Sequence, residues 1–302
     1  MKIGLDSTTT NTGTVDGVVA EARAAAAAGL ASFWVPNHFG LDALTSLAVV
    51  GREQPDLELG TAVVPIYTRH PFAMAQQAMT VQAIVGGRLT LGIGLSHRPI
   101  VEGAWGLPFE HPARTMREYL SALAAFTGGG TDDAPPLATP DRPTPPRVPG
   151  ATPLPVVVAA LGPRMVQIAG ALADGVVLWS VGKSGIASIV TALRAAARDA
   201  NRPAPRVVAT LPVCVTDDVA AAKERIHRRI GSVSELPSYQ RSLDLEGASN
   251  VADISLVGDE GTVLGALSQF EDVGVTEFAA MVMGSRDERG ATMDALARLA
   301  AS

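Results

Sequence analysis

The chain has 302 residues, of which 47% are hydrophobic, and its formal charge is −6. That length and apolar content support a sizeable core, and the acidic balance argues against a nucleic-acid or anionic-membrane partner while leaving room for a local site for a small anion. One cysteine, Cys214, excludes an internal disulfide framework and a thiolate metal cluster, and its place in an apolar strand-like run suggests a buried, inert thiol.

In chain order, residues 2–5 form a short apolar strand ending at Asp6, and 15–28 a helix closed by Gly29. A strand over 32–35 runs into Pro36, Asn37 and His38, so a histidine stands just past its C-terminal end. A helix at 41–50, a strand at 57–64 broken by Pro65, and a helix at 71–84 with Pro71 near its start follow. The next strand, 88–93, leads through Gly92 and Gly94 into Ser96, His97 and Arg98. Those glycines either relieve crowding against a helix or leave space for a flat ligand to approach the backbone.

A helix at 112–126 precedes a segment, 127–155, that is rich in glycine and proline and reads as a surface insertion, a linker or a lid. The alternation then resumes: strands at 155–160, 176–179, 206–215 and 277–283, helices at 164–173, 185–199, 218–230, 262–272 and 287–300, with 231–252 unassigned. Strict alternation over one chain favours a single domain, 1–302, folded as a (β/α)8 TIM barrel with insertions, with an open doubly wound sheet as the alternative. In a barrel the loops after the strands share one face, which brings His38, His97, Gly162, Ser180 and Lys183 together.

Several motifs fail on inspection. The run from Gly92 to His97 begins like a dinucleotide fingerprint, but its sixth position is His97 and no helix starts there. Gly182, Lys183 and Ser184 resemble the end of a phosphate-binding loop, yet Val177 stands where that loop needs glycine. The five histidines show no metal-site spacing, so no metal is expected, and no nucleophile elbow exists. His227 lies on a charged helix face. The turn at Ala160, Leu161 and Gly162 opens a helix whose backbone N–H groups suit an anion, although Pro163 offers none and an ordinary βα turn reads the same way.

Four segments, SFWVPNHF at 32–39, LGTAVVPIYTRHPFAMAQQAMTVQ at 59–82, GRLTLGIGLSH at 87–97 and VAALGPRMVQIAGALADGVVLW at 158–179, resemble the bacterial luciferase-like monooxygenase superfamily, in particular its branch that uses the deazaflavin coenzyme F420. The resemblance implies a hydride-transferring oxidoreductase with His38 near the reactive face of the ring. It implies a cis peptide at Ala62-Val63 behind that ring, a ring-lining turn at Gly94 and Leu95, and a phosphate turn at Ala160, Leu161 and Gly162. Ser180 and Lys183 would contact cofactor or substrate. His97 stands where the family's sugar-phosphate dehydrogenases carry glutamate, and Asp42 where they carry tryptophan, so sugar-phosphate oxidation is not expected; His97 is either a second proton-transfer group or a polar wall. The resemblance also implies a homodimer acting on a small molecule. With no signal or membrane-spanning run, a cytoplasmic protein is expected. An FMN-dependent monooxygenase or a non-catalytic flavin-binding protein are the alternatives.

Overall fold

The structure is a computed structural model that describes residues 1–127 and 145–301. In order these are β1 (Lys2–Asp6), α1 (Val15–Ala27), β2 (Ser32–Val35), α2 (Ala43–Glu53), β3 (Glu58–Thr61), β4 (Val64–Pro65), α3 (Pro71–Ile84), β5 (Leu89–Gly94) and α4 (Pro112–Thr127). The second half adds β6 (Val156–Ala159), α5 (Pro163–Leu172), β7 (Gly175–Trp179), α6 (Lys183–Asp199), β8 (Arg206–Val215), α7 (Val219–Ile230), α8 (Pro237–Glu246), β9 (Leu256–Gly258), α9 (Glu260–Asp272), β10 (Glu277–Val282) and α10 (Arg286–Ala300).

Runs such as Val156-Val157-Val158 are apolar on both faces because both faces are covered, by helices outside and by the barrel lumen inside. The strands β1, β2, β3, β5, β6, β7, β8 and β10 pair in that order, all parallel, and β10 pairs with both β8 and β1. The sheet is therefore a closed (β/α)8 barrel, and the open-sheet alternative fails on the β10–β1 pairing. β4 continues alongside β5 beyond β3, and β9 pairs with the far end of β8.

Alternation sends every second strand residue inward. Trp34, Ala62, Val157, Val177, Val208 and Ala279 form one buried cluster inside the barrel, distinct from the larger cluster between strands and helices. Trp34 fills so much of the lumen that its neighbour must be glycine: a Cβ on Gly60 would lie 2.2 Å from the indole ring. Towards the N-terminal end of the strands, Glu277 accepts from the Trp34 indole N–H at 2.6 Å and from Arg206 at 2.9 Å, while Arg206 also reaches Thr90 at 2.8 Å. A buried carboxylate with this many donors is compensated, and the plug joins β2, β5, β8 and β10.

Side-chain caps set the helix starts. Thr14, Asp42, His70, Asp218 and Asp259 each accept a backbone N–H, and Ser285 with Glu288 forms a capping box. Cys214 is buried, and its thiol is pushed up to about 11, first by burial.

Three details depart from the sequence reading. The strand expected over 57–64 is cut in two at Ala62-Val63, the unassigned 231–252 holds a 3-10 turn and α8, and a π-helical turn spans Pro99–Ala104. Most of the expected insertion, 128–144, lies outside the described residues, so the lid reading does too; 145–155 runs into β6 without helix or strand. No helix among the described residues is long and apolar enough to cross a membrane.

Candidate functional site

β2 ends at Val35, and the chain turns through Pro36 and Asn37 to His38. The turn is anchored because Asn37 Oδ1 accepts the backbone N–H of Ala43 at 3.0 Å. Asp42, the departure noted above, caps α2 through Thr45 at 2.8 Å and also holds Arg69 and Gln77. It is thus a tie between α2 and the start of α3.

β5 brings His97 to the same mouth. Ser96 takes a left-handed conformation at φ 60°, turning the chain out of the strand, and the His97 carbonyl then accepts the N–H groups of Ile100 and Val101 at 2.9 Å each. His97 packs against Tyr239 of α8 at 5.8 Å between ring centroids, and Tyr239 packs edge-on against Trp179 at the same distance. On the other side Phe39, 64% exposed, faces Trp105 at 6.5 Å.

Both imidazoles lie below their ordinary pKa. For His38 the cause is burial, yet its side chain is exposed; a ring facing an open concavity meets both conditions. For His97 the first cause is burial and the second is the charge of His38, which means that the two rings feel each other across the mouth. Near neutrality both are neutral, and protonating one opposes protonating the other.

Beneath them, backbone crowding explains the glycines left ambiguous by sequence. A Cβ on Gly92 would sit 1.9 Å from the carbonyl oxygen of Thr61, and one on Gly94 would sit 2.6 Å from Val63 Cγ2. The Ala62-Val63 peptide is cis, as the resemblance implied, and the Thr61 hydroxyl donates to the Gly92 carbonyl and accepts the Gly92 N–H, each at 2.8 Å, where the ladder breaks. Ala62, Val63, Gly94 and Leu95 therefore form one continuous patch. In these positions glycine serves packing first.

Ala160 and Leu161 lead to Gly162, the N-cap of α5, which has no side-chain cap, and a Cβ built there meets nothing within 4 Å. The neighbouring helix differs. The start of α6 is filled by Glu246, whose carboxylate accepts the Gly185 N–H at 2.9 Å and the Ser184 hydroxyl at 3.1 Å. Lys183 turns away to Gln269 at 2.6 Å and lines an outer recess of about 610 Å³ with Glu246, Asp253 and Phe270. Ser180 is fully buried at φ 52°, and its hydroxyl has no partner.

Two residues were missed by sequence reasoning. Asp6 ends β1 inside the barrel, where burial, and to a lesser extent Glu21, pushes its carboxyl up to about 8 against a bond from Thr210. A carboxyl at a strand's C-terminal end was the available signal. Tyr239 lies in the segment with no readable periodicity and had none.

A family model described as luciferase-like monooxygenase matches residues 1–302. The chain belongs to this family. A relative of this luciferase-like chain in Mycobacterium tuberculosis (strain ATCC 25618 / H37Rv), described as an uncharacterised protein, is 30% identical over 227 residues, covering 68% of this chain and 65% of the relative. In that case the chain spans about 65% of its relative's length. An F420-dependent hydroxymycolic acid dehydrogenase of the same organism is 28% identical over 295 residues, covering 87% of this chain and 78% of the relative. Among solved structures, an F420-dependent secondary alcohol dehydrogenase in complex with an F420-acetone adduct superposes with a TM-score of 0.81 at 16% identity, covering 98% of this chain and 97% of that one. At that identity the likeness is one of fold.

Proposed function

We propose that this luciferase-like chain is a coenzyme F420-dependent oxidoreductase acting on a small organic substrate. The observation that carries the reading is that His38 and His97, which follow β2 and β5, come to one barrel mouth close enough for the charge of one to act on the other, at the end of the barrel where the cis Ala62-Val63 peptide lies against Gly94. The F420-dependent dehydrogenases that it resembles favour this branch of the family.

The residues fit such a cofactor. Ala160, Leu161 and Gly162 present an open, uncapped helix start for its phosphate, and a buried oxygen of Asp6 and the hydroxyl of Ser180 have no partner. Lys183 would join only by leaving Gln269. When bound, the deazaflavin supplies a carbon, C5, that donates or accepts hydride. The chain manages the accompanying proton. Neutral His38 can take the hydroxyl proton of an alcohol as hydride departs; in the reduction of an activated C=C or C=N bond, its protonated form would give the proton that accompanies the hydride. His97 is the second candidate for that role, and its contact with Tyr239 fixes the ring. Asp6, neutral at pH 7, can donate a hydrogen bond without placing charge in the barrel.

Titration with F420 and with FMN, followed by the emission of Trp105 and Trp179, tests the cofactor. Tight FMN binding with no response to F420 would favour the FMN-dependent monooxygenase reading instead. Turnover against alcohol and enone panels tests the roles: the parent should oxidise or reduce a member, and His38→Ala and His97→Ala should be slower. A parent that binds F420 but turns over nothing supports a binding protein. The family resemblance also supports a homodimer, which light scattering would measure as twice the chain mass.

A further inference from the structure

The opening turns of α4 and α5 stand side by side on the rim of the barrel mouth and line an open groove of about 370 Å³. Its walls are Ala113, Arg114, Arg117, Arg164, Gln167 and Ile168. Three guanidinium groups here run against two trends. The chain as a whole carries 30 acidic and 24 basic residues, so its surface is mostly of the other sign. Arg114 and Arg164, in the first turns of α4 and α5, also oppose the helix dipole, and neither helix has an acidic residue in its first turn to compensate. Arg114 is paired with Glu118 at 2.7 Å, whereas Arg117 and Arg164 have no ion pair or hydrogen bond among the described residues. All three are exposed. Two exposed guanidinium groups left unpaired in one groove are free to take an external anion.

The position of Arg164 narrows the ligand. It lies two residues beyond Gly162, so the groove begins where the open backbone site of α5 ends. We infer that the arginine groove binds a chain of carboxylates that continues outward from a phosphate held at Gly162, which under the reading proposed above is the glutamate chain of the cofactor. Arg117 and Arg164 supply the free charges; Arg114, already shared with Glu118, contributes less. The inference rests on the F420 reading for the identity of the chain and on the groove for its location.

The experiment compares F420 species that share ring and phosphate but carry no glutamate, a short chain or a long one. The parent should bind the glutamate-bearing forms more tightly, with a preference that fades at high salt, as expected of exposed charges. The double variant Arg117→Gln with Arg164→Gln should bind the long-chain form about two- to thirtyfold more weakly, the sum of two exposed charge contacts. It should bind the glutamate-free form like the parent, and Arg117→Lys with Arg164→Lys should recover most of the loss. Thermal stability of the Gln variant should stay level or rise, since a cation leaves the first turn of α5. A parent series that is flat with chain length overturns the inference and leaves the cofactor reading intact. So does a variant that loses the glutamate-free form equally. Failure of every F420 species to bind overturns both.

Discussion

Thr210 donates its hydroxyl to Oδ2 of Asp6 at 3.0 Å, while Oδ1 of the same carboxyl is buried without a partner. The two residues come from β8 and β1, alternate strands of the barrel with β10 between them, as side chains of one interior layer do. A charged carboxylate there would be poorly solvated, which is why the neutral form persists.

The pH dependence of stability follows from that carboxyl. Its folded pKa, about 8, lies above the ordinary 3.8, so the unfolded chain releases the proton first as pH rises. The stabilisation of the neutral acid is complete below about pH 4 and is lost progressively up to about pH 8. Asp6→Asn removes the titration while keeping the shape. Melting curves should therefore show the variant gaining on the parent between those limits, with the gap levelling above them. A gap independent of pH would mean that Asp6 is ionised in the folded protein.

For the histidine pair, the relevant readout is the imidazole titration followed by NMR. His97 is lowered by burial and then by the charge of His38, so His38→Ala should raise the His97 pKa part of the way back, burial still acting. Because both folded pKa values lie below the ordinary 6.5, the stability tied to neutral imidazoles is present above that value and is lost as pH falls through the folded values. If each ring supplies proton transfer, its alanine variant should lose about a hundredfold or more in kcat. An unmoved His97 titration in His38→Ala would separate the two rings.

The barrel was legible because parallel strands buried on both faces read as short apolar runs, as in Val156-Val157-Val158, and because helix starts such as Asp42 and Ser285 carry their caps locally. His38 and His97 were legible for the same reason: each follows a readable strand. Asp6 was visible only as a strand end, since its protonation comes from burial inside the closed barrel, among residues such as Thr210, 204 positions away. The place of Lys183 in an outer recess likewise depends on Gln269, 86 positions on. Tyr239 lies on a short helix whose apolar face is narrow, and β9 has three residues, too few for any period to show. The arginine groove joins two helices separated by a long segment, so neither sequence stretch displays it alone.

Glu246 ties α8 to α6, and α8 carries Tyr239. Glu246→Ala should remove a helix cap, worth about 1 kcal/mol, and lower the melting point by roughly 2 °C for a chain of this size. It should also loosen the Tyr239 contact with Trp179, visible as a change in Trp179 emission. Glu246→Gln keeps an acceptor for the Gly185 N–H and should sit near the parent in both measurements. Equal emission spectra for all three proteins would show that α8 is held by its apolar contacts alone.

The contrast between adjacent helix starts supplies the sharpest test of the anion site. α6 is already closed by a carboxylate, whereas α5 opens onto space at Gly162 with no cap of its own. Gly162→Asp would place a carboxylate in that space, where it can accept the free N–H groups of the first turn. As a cap, aspartate improves on glycine by a few tenths of a kcal/mol, with a further few tenths from the helix dipole, so the melting point should rise slightly. As an anion, it repels the phosphate that the turn is proposed to hold, so F420 affinity should fall by tenfold or more. Stability and binding thus move in opposite directions for one substitution, an outcome that general damage to the fold cannot produce. A variant that is stabilised and still binds F420 like the parent would place the phosphate elsewhere on the barrel mouth.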